Sequence, residues 1–165
     1  MKSFGARIVS FEEFDTQYRA SAGRIVAVSG GFDPIHPGHI SNIQEGKKLG
    51  DTLVAIVNGD AFLTSKKGKP FQDLQTRSSI ISSVQGVDFV IPFEIDNDMT
   101  VCKALEWLRP HIFAKGGDRV DERTIPEWKV CEAHDIKVVS GIGLDKEWSS
   151  SIFLKEWVEH TKKES

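Results

Sequence analysis

Apolar residues along the chain fall into two alternating patterns. Short runs rich in Val and Ile occupy Arg24–Ser29, Thr52–Asn58, Asp88–Pro92, His111–Lys115 and Ile136–Ser140, each bounded by Gly, Pro, Asp or Asn. Runs of that length with that punctuation read as strands buried on both faces. Between them the spacing turns helical. Val101, Ala104, Leu105 and Leu108 recur at i, i+3, i+4 and i+7, and the pattern stops before Pro110. Leu74, Ile81 and Val84 suggest a second helix, and Ile152, Phe153 and Trp157 give the last helix its apolar side. Strand–helix alternation throughout predicts an α/β fold, a doubly wound parallel five-stranded sheet with helices on both faces. Ligands of such sheets gather at the carboxyl ends of the strands. The stretch before Arg24, apolar at Phe11, Phe14 and Tyr18, reads as an N-terminal helical appendage over residues 1–23 of a single domain spanning 1–165.

Composition narrows the partners rather than the fold. The 165 residues suit one domain, and 39% hydrophobic with 27% charged is ordinary for one core. Twenty-one basic against 24 acidic residues leaves a formal charge of −3, which argues against non-specific nucleic-acid binding. No apolar run approaches the roughly 18 residues of a membrane span, and the N-terminus has no apolar signal core, so a cytoplasmic protein without a membrane partner is expected. Cys102 and Cys131 form no CxxC pair and read as two thiols buried in the core.

The chemistry concentrates directly after the first strand, in Ser29-Gly-Gly-Phe-Asp-Pro-Ile-His-Pro-Gly-His39. Gly30 and Gly31 let the backbone approach a ligand, and Pro37 suits a helix's first turn, where its missing N–H is harmless. His36 and His39, three apart, face the same way on such a turn. They would stand beside free backbone N–H groups at the positive end of a helix dipole, an arrangement that favours a polyphosphate. Each histidine alone can equally be a helix cap. A zinc site lacks a third ligand nearby, and the P-loop, dinucleotide and nucleophile-elbow patterns are all absent. Lys66, Lys67 and Lys69 follow the second strand, where they are either a solvated face or a phosphate clamp. Arg77 is either an exposed helix residue or a bidentate phosphate ligand. Ser149, Ser150 and Ser151 precede the last helix as caps, or as hydroxyls holding phosphate.

GGFDPIHPGH resembles the HxGH signature of the cytidylyltransferase-like nucleotidyltransferases, and the resemblance covers nearly the whole chain. LVAIVNGD at Leu53–Asp60 is similar to the second strand of glycerol-3-phosphate cytidylyltransferase and its relatives, and Lys66–Pro70 followed by Arg77 resembles the family's basic loop and arginine. Lys115-Gly-Gly-Asp118 and the lead-in Arg7–Glu13 resemble the bacterial heptose 1-phosphate adenylyltransferases. Trp148-Ser-Ser-Ser151 stands where the family has Ser-Thr-Thr, and Leu144 stands where the cytidylyltransferases carry an arginine. Arg119 stands where the heptose pattern has Tyr.

The resemblance implies a Rossmann-like fold and transfer of a nucleoside monophosphate, AMP before CMP, from the triphosphate to a sugar or polyol phosphate, with release of pyrophosphate. His36, His39, Lys67 and Arg77 are then the expected catalytic residues. Gly30, Gly31, Phe32, Asp33, Gly38, Gly116, Asp118 and Ser149–Ser151 would join the histidines around the nucleotide. Lys66, Lys67, Asn58, Asp60 and Arg119 would meet the acceptor. Mg²⁺ is expected with the triphosphate, no protein metal site is expected, and a homodimer is the expected assembly. The alternatives are a glycerol-3-phosphate-type cytidylyltransferase, an FMN adenylyltransferase and, outside enzymes, a nucleotide-sensing module.

Overall fold

The structure, a computed structural model, describes every residue except Arg119, so the acceptor role expected there lies outside the described residues. The five anticipated strands form, β3 at the expected bounds and the other four shifted by one or two residues: β2 (Ile25–Gly30), β3 (Thr52–Asn58), β4 (Phe89–Phe93), β5 (Ile112–Gly116) and β6 (Lys137–Ile142). A sixth, β1 (Arg7–Ile8), corrects the count. The sheet is six-stranded and parallel, in the order β1-β4-β3-β2-β5-β6.

Residues 1–23 are therefore no mere appendage. Arg7 and Ile8 pair with Phe89 and Val90 at the sheet edge. The chain then turns through α1 (Phe11–Glu13), where Ser10 accepts the Glu13 N–H at 3.0 Å. Phe14 follows, fully buried, with its ring edge-on to Phe89 at 5.0 Å. A two-residue strand is too short to show the period by which strands are recognised.

Alternate residues of each strand supply two core layers. Ile25, Ala27, Val54, Ile56 and Phe113 pack toward α5 (Cys102–Leu108) and α6 (Trp128–Ala133), where Leu105, Leu108 and Cys131 are buried. Val26, Val28, Leu53, Ala55 and Ala114 pack toward α2 (Pro37–Lys47) and α4 (Leu74–Ile81), through Ile43 and Ile81. Each fully buried Leu or Ile contributes about 1.5–3 kcal/mol. The remaining helices are α3 (Asp60–Lys67) and α7 (Ser150–Glu164). Helix α7 departs from expectation, because Ile152, Phe153 and Trp157 are 56%, 42% and 62% exposed. Its apolar side faces solvent rather than the core. Among the described residues, no helix is long and apolar enough to cross a membrane.

One topological feature positions the site. Strand order reverses between β2 and β5, which share only the pairs Val26↔Ile112 and Ala27↔Phe113, whereas β2 pairs with β3 from Ile25 to Gly30. Beyond Ala27 the carboxyl ends of β2 and β5 part, and the crevice at this switch point is where ligands of open α/β sheets bind.

Candidate active site

The turn leaving β2 enters the crevice. His36, with extended backbone (φ −145°, ψ 170°), caps α2, and Pro37 takes the first helical position. The His36 backbone N–H donates to Nδ1 of His39 at 3.2 Å. A neutral imidazole that accepts at Nδ1 carries its proton on Nε2, so His39 keeps one N–H donor for a ligand. The two rings stack at 3.7 Å with 18° between their planes, and Phe32 packs edge-on behind His39 at 5.2 Å.

Burial, then the neighbouring charges of His36 and Lys66, push His39 down to about 4. Burial also lowers His36, partly offset by a backbone hydrogen bond. Both rings are neutral donors at neutral pH, and Nδ1 of His36 is buried without a hydrogen-bond partner among the described residues.

The histidines open on a cavity of about 580 Å³. Lys66, from the last turn of α3, and Gly38 join them on one side; Gly116 and Asp118 border it from the end of β5. Ser149, Ser150 and Ser151 close it at the start of α7. Ser149 caps α7 by accepting the Ile152 N–H at 3.4 Å, and the Ser150 hydroxyl donates to the Pro34 carbonyl at 2.7 Å. That bond ties the α7 N-terminus to the turn before α2. Two helix N-termini, each with free N–H groups and a partial positive charge, thus meet across one cavity. Trp148 also lines it, lying over Gly38 with ring carbon Cε3 3.7 Å from where a Cβ on that glycine would stand.

Other expected ligands have different partners. Lys67 donates to the Asp33 carbonyl at 2.6 Å and pairs with its carboxylate at 2.9 Å. That carboxylate is almost fully buried and also accepts the backbone N–H groups of Phe71 and Gln72, so Asp33 orders the turn. Arg77 is completely buried. Its Nε donates to the Gln72 carbonyl (2.8 Å), Nη1 to the carbonyls of Gly31 (2.9 Å) and Asn58, and Nη2 to Asp60 Oδ1 (2.7 Å). The guanidinium joins the turn after β2 to the end of β3 and the start of α3. Neither cation lines the cavity as the phosphate ligand expected of it. Asn58 and Asp60 lie at that joint, with the N–H groups of Asp60 and Ala61 bonded to the Glu94 carboxylate at 2.9 and 3.1 Å. Gly30, Gly31 and Asp33 shape the turn without lining the cavity, and Phe32 borders only a smaller space beneath it.

The model of the cytidylyltransferase-like family matches residues 27–151, from β2 to the first turn of α7, the stretch that builds this cavity. The chain belongs to the cytidylyltransferase-like family. Within it, the chain is 36% identical over 118 residues to the bifunctional protein HldE of Hahella chejuensis, covering 70% of this chain and 24% of that protein. To HldE of Nitrosococcus oceani it is 39% identical over 101 residues, covering 60% and 21%. The chain spans about a quarter of the length of these curated relatives. A crystal structure of the lipopolysaccharide core biosynthesis protein from Thermoplasma volcanium superposes with a TM-score of 0.63 at 30% identity, covering 74% of this chain and 99% of that one. Pantothenate synthetase from Thermus thermophilus, 16% identical with a TM-score of 0.57 over 87% of this chain and 66% of that one, shares the Rossmann-like fold.

Among the polar side chains lining the cavity that were not expected from the sequence is Asn42. The available signal was its spacing, three residues after His39 on the same helix.

Proposed function

We propose that this chain is a nucleotidyltransferase that moves a nucleoside monophosphate from its triphosphate to a sugar or polyol phosphate. The observation that carries this reading is the neutral His36–His39 pair at two converging helix N-termini. An oxygen of the acceptor's phosphate dianion forms the new bond to the α-phosphorus. The bond from the α-phosphorus to the bridging oxygen breaks, and pyrophosphate leaves with that electron pair. The nucleophile is already an anion, so no general base is needed. The site supplies alignment and charge stabilisation. In this reading His39 Nε2–H and the His36 ring donate to the α-phosphoryl and bridging oxygens. Lys66 adds the positive charge, and Ser149–Ser151 with the α7 N-terminus receive the leaving pyrophosphate.

Mg²⁺ belongs to the substrate in this reading, arriving on the triphosphate with most of its waters. Among the described residues no group of three His, Cys, Asp or Glu side chains is placed to hold a metal ion. The adenine base is favoured over cytosine through Lys115-Gly-Gly-Asp118 and through Leu144, which lines the cavity where the cytidylyltransferases carry an arginine.

The test is pyrophosphate release with four triphosphates against a panel of sugar and polyol phosphates. Release is expected with ATP and at least one sugar or polyol phosphate. Nucleotide binding without release in every pairing would make the chain a sensing module. A tenfold preference for CTP, about 1.4 kcal/mol, would reverse the choice of base alone.

A further inference from the structure

Asn42 sits one helical turn after His39, against Gly116 at the carboxyl end of β5 and Gly143 just after β6. Its side chain occupies space that only glycine leaves open. A Cβ on Gly116 would fall 1.8 Å from Nδ2, and one on Gly143, where φ is +80°, would fall 2.2 Å from Oδ1. The carboxamide is thus seated between two glycines. It borders both the main cavity and a smaller one of about 220 Å³ in the β2–β5 crevice. Among the described residues it has no hydrogen-bond partner. The amide is half-buried, and its unpaired donor and acceptor open on the cavities, where a ligand's polar groups can meet them.

We infer that Asn42 is a specificity residue that reads the ribose hydroxyls of the nucleotide. The inference rests on the nucleotidyltransferase reading for where the nucleotide lies. If His39 meets the α-phosphoryl group, the next group along the substrate, one ester oxygen away, is the ribose. Its 2′ and 3′ hydroxyls are neighbours, each both donor and acceptor, and a carboxamide offers one of each, side by side. The seat between Gly116 and Gly143 fixes the orientation of the amide, so the match does not depend on ordering a free side chain. A site built to hydrogen-bond a hydroxyl discriminates strongly against the analogue that lacks it, because its own polar groups are then left unpaired.

The experiment compares ATP, 2′-deoxyATP and 3′-deoxyATP by pyrophosphate release and, separately, by calorimetric binding. The proteins are the wild type, Asn42→Ala, and Asn42→Leu, which keeps the seat filled should the smaller residue loosen it. The wild type is expected to favour ATP over at least one deoxy analogue by about tenfold or more. Both variants should lose that preference by weakening ATP alone, with the deoxy analogue unchanged. A ribose preference that survives in both variants overturns the inference, as does a change in base preference without one in sugar preference. The binding arm separates the two readings. Lost sugar discrimination with no pyrophosphate from any protein supports the role of Asn42 and contradicts transfer. Pyrophosphate release with undiminished discrimination in the variants does the reverse.

Discussion

Two regions of this molecule carry the charged and polar residues that the sequence marks for phosphate chemistry, and they use them in opposite ways. In the turn from β2 into α2, His36 and His39 bond little to the rest of the protein. His39 accepts one backbone N–H and leaves Nε2 open, and both rings line the cavity. In the corner from α3 to α4, Lys67 and Arg77 are engaged throughout, with Asp33 on one side and Gly31, Asn58, Asp60 and Gln72 on the other. The first region holds donors ready for a ligand. The second fixes the backbone that presents them. A cation beside a phosphate site is a ligand only if its hydrogen bonds are not already made within the fold, and here the buried guanidinium acts as a brace.

The contrast breaks most visibly at Arg77. Arg77→Ala removes donors from buried carbonyls and leaves the Asp60 carboxylate without its partner, a loss of about 3–5 kcal/mol in stability. Thermal and denaturant unfolding should show it, and Arg77→Lys should recover little, since an ammonium cannot span four acceptors in a plane. A variant with wild-type stability but a raised KM would restore Arg77 to the ligands.

Acid should sharpen the other side. His39 is held near 4 in the folded protein against about 6.5 when unfolded. Between those values the unfolded chain binds the extra proton, so stability rises with pH. The contribution is complete above about pH 6.5, is lost as pH falls toward 4, and amounts to about 3 kcal/mol. Unfolding followed from pH 7 to pH 4 should have a steeper acid slope for the wild type than for His39→Gln. Equal slopes would mean that burial does not hold the ring neutral.

The adjacent lysines make the smallest and most local comparison. Lys66→Ala should raise the KM for the triphosphate about fivefold at low salt, less at high salt, with stability unchanged. Lys67→Ala should instead cost about 2 kcal/mol in stability, because the buried Asp33 carboxylate loses its counter-charge. Identical behaviour of the two variants would erase the distinction between a cation that faces the cavity and one that ties down the turn.

Much of this was legible in the sequence, for reasons that differ by region. Continuous Val and Ile runs gave away β2 to β6, because a strand covered on both faces must be apolar throughout. β1 escaped because Arg7 and Ile8 alone show no period. The apolar stripe of α7 was visible, but a stripe says that a face is apolar and not what covers it, and Phe153 and Trp157 lie open to solvent. The turn carrying His36 and His39 could be read because its glycines, prolines and histidines hold their geometry within eleven residues. For Lys67 and Arg77 only the residue type could be read. Their partners at Asp33, Gly31 and Asn58 lie 19 to 46 residues away, and tertiary packing decides whether a donor is already engaged. Asn42 looked like any polar residue on a helix until Gly116 and Gly143 were seen to make its seat.

The decisive measurement is single-turnover pyrophosphate release by the wild type and His39→Ala, with nucleotide affinity measured on the same two proteins. A donor whose hydrogen bond tightens as charge moves to the bridging oxygen contributes about 3–4 kcal/mol, so the chemical step should slow by about a hundred- to a thousandfold. Affinity for the triphosphate should change far less. Near wild-type release by His39→Ala would show that the stacked imidazoles only shape the start of α2, and that the cavity performs its chemistry without them.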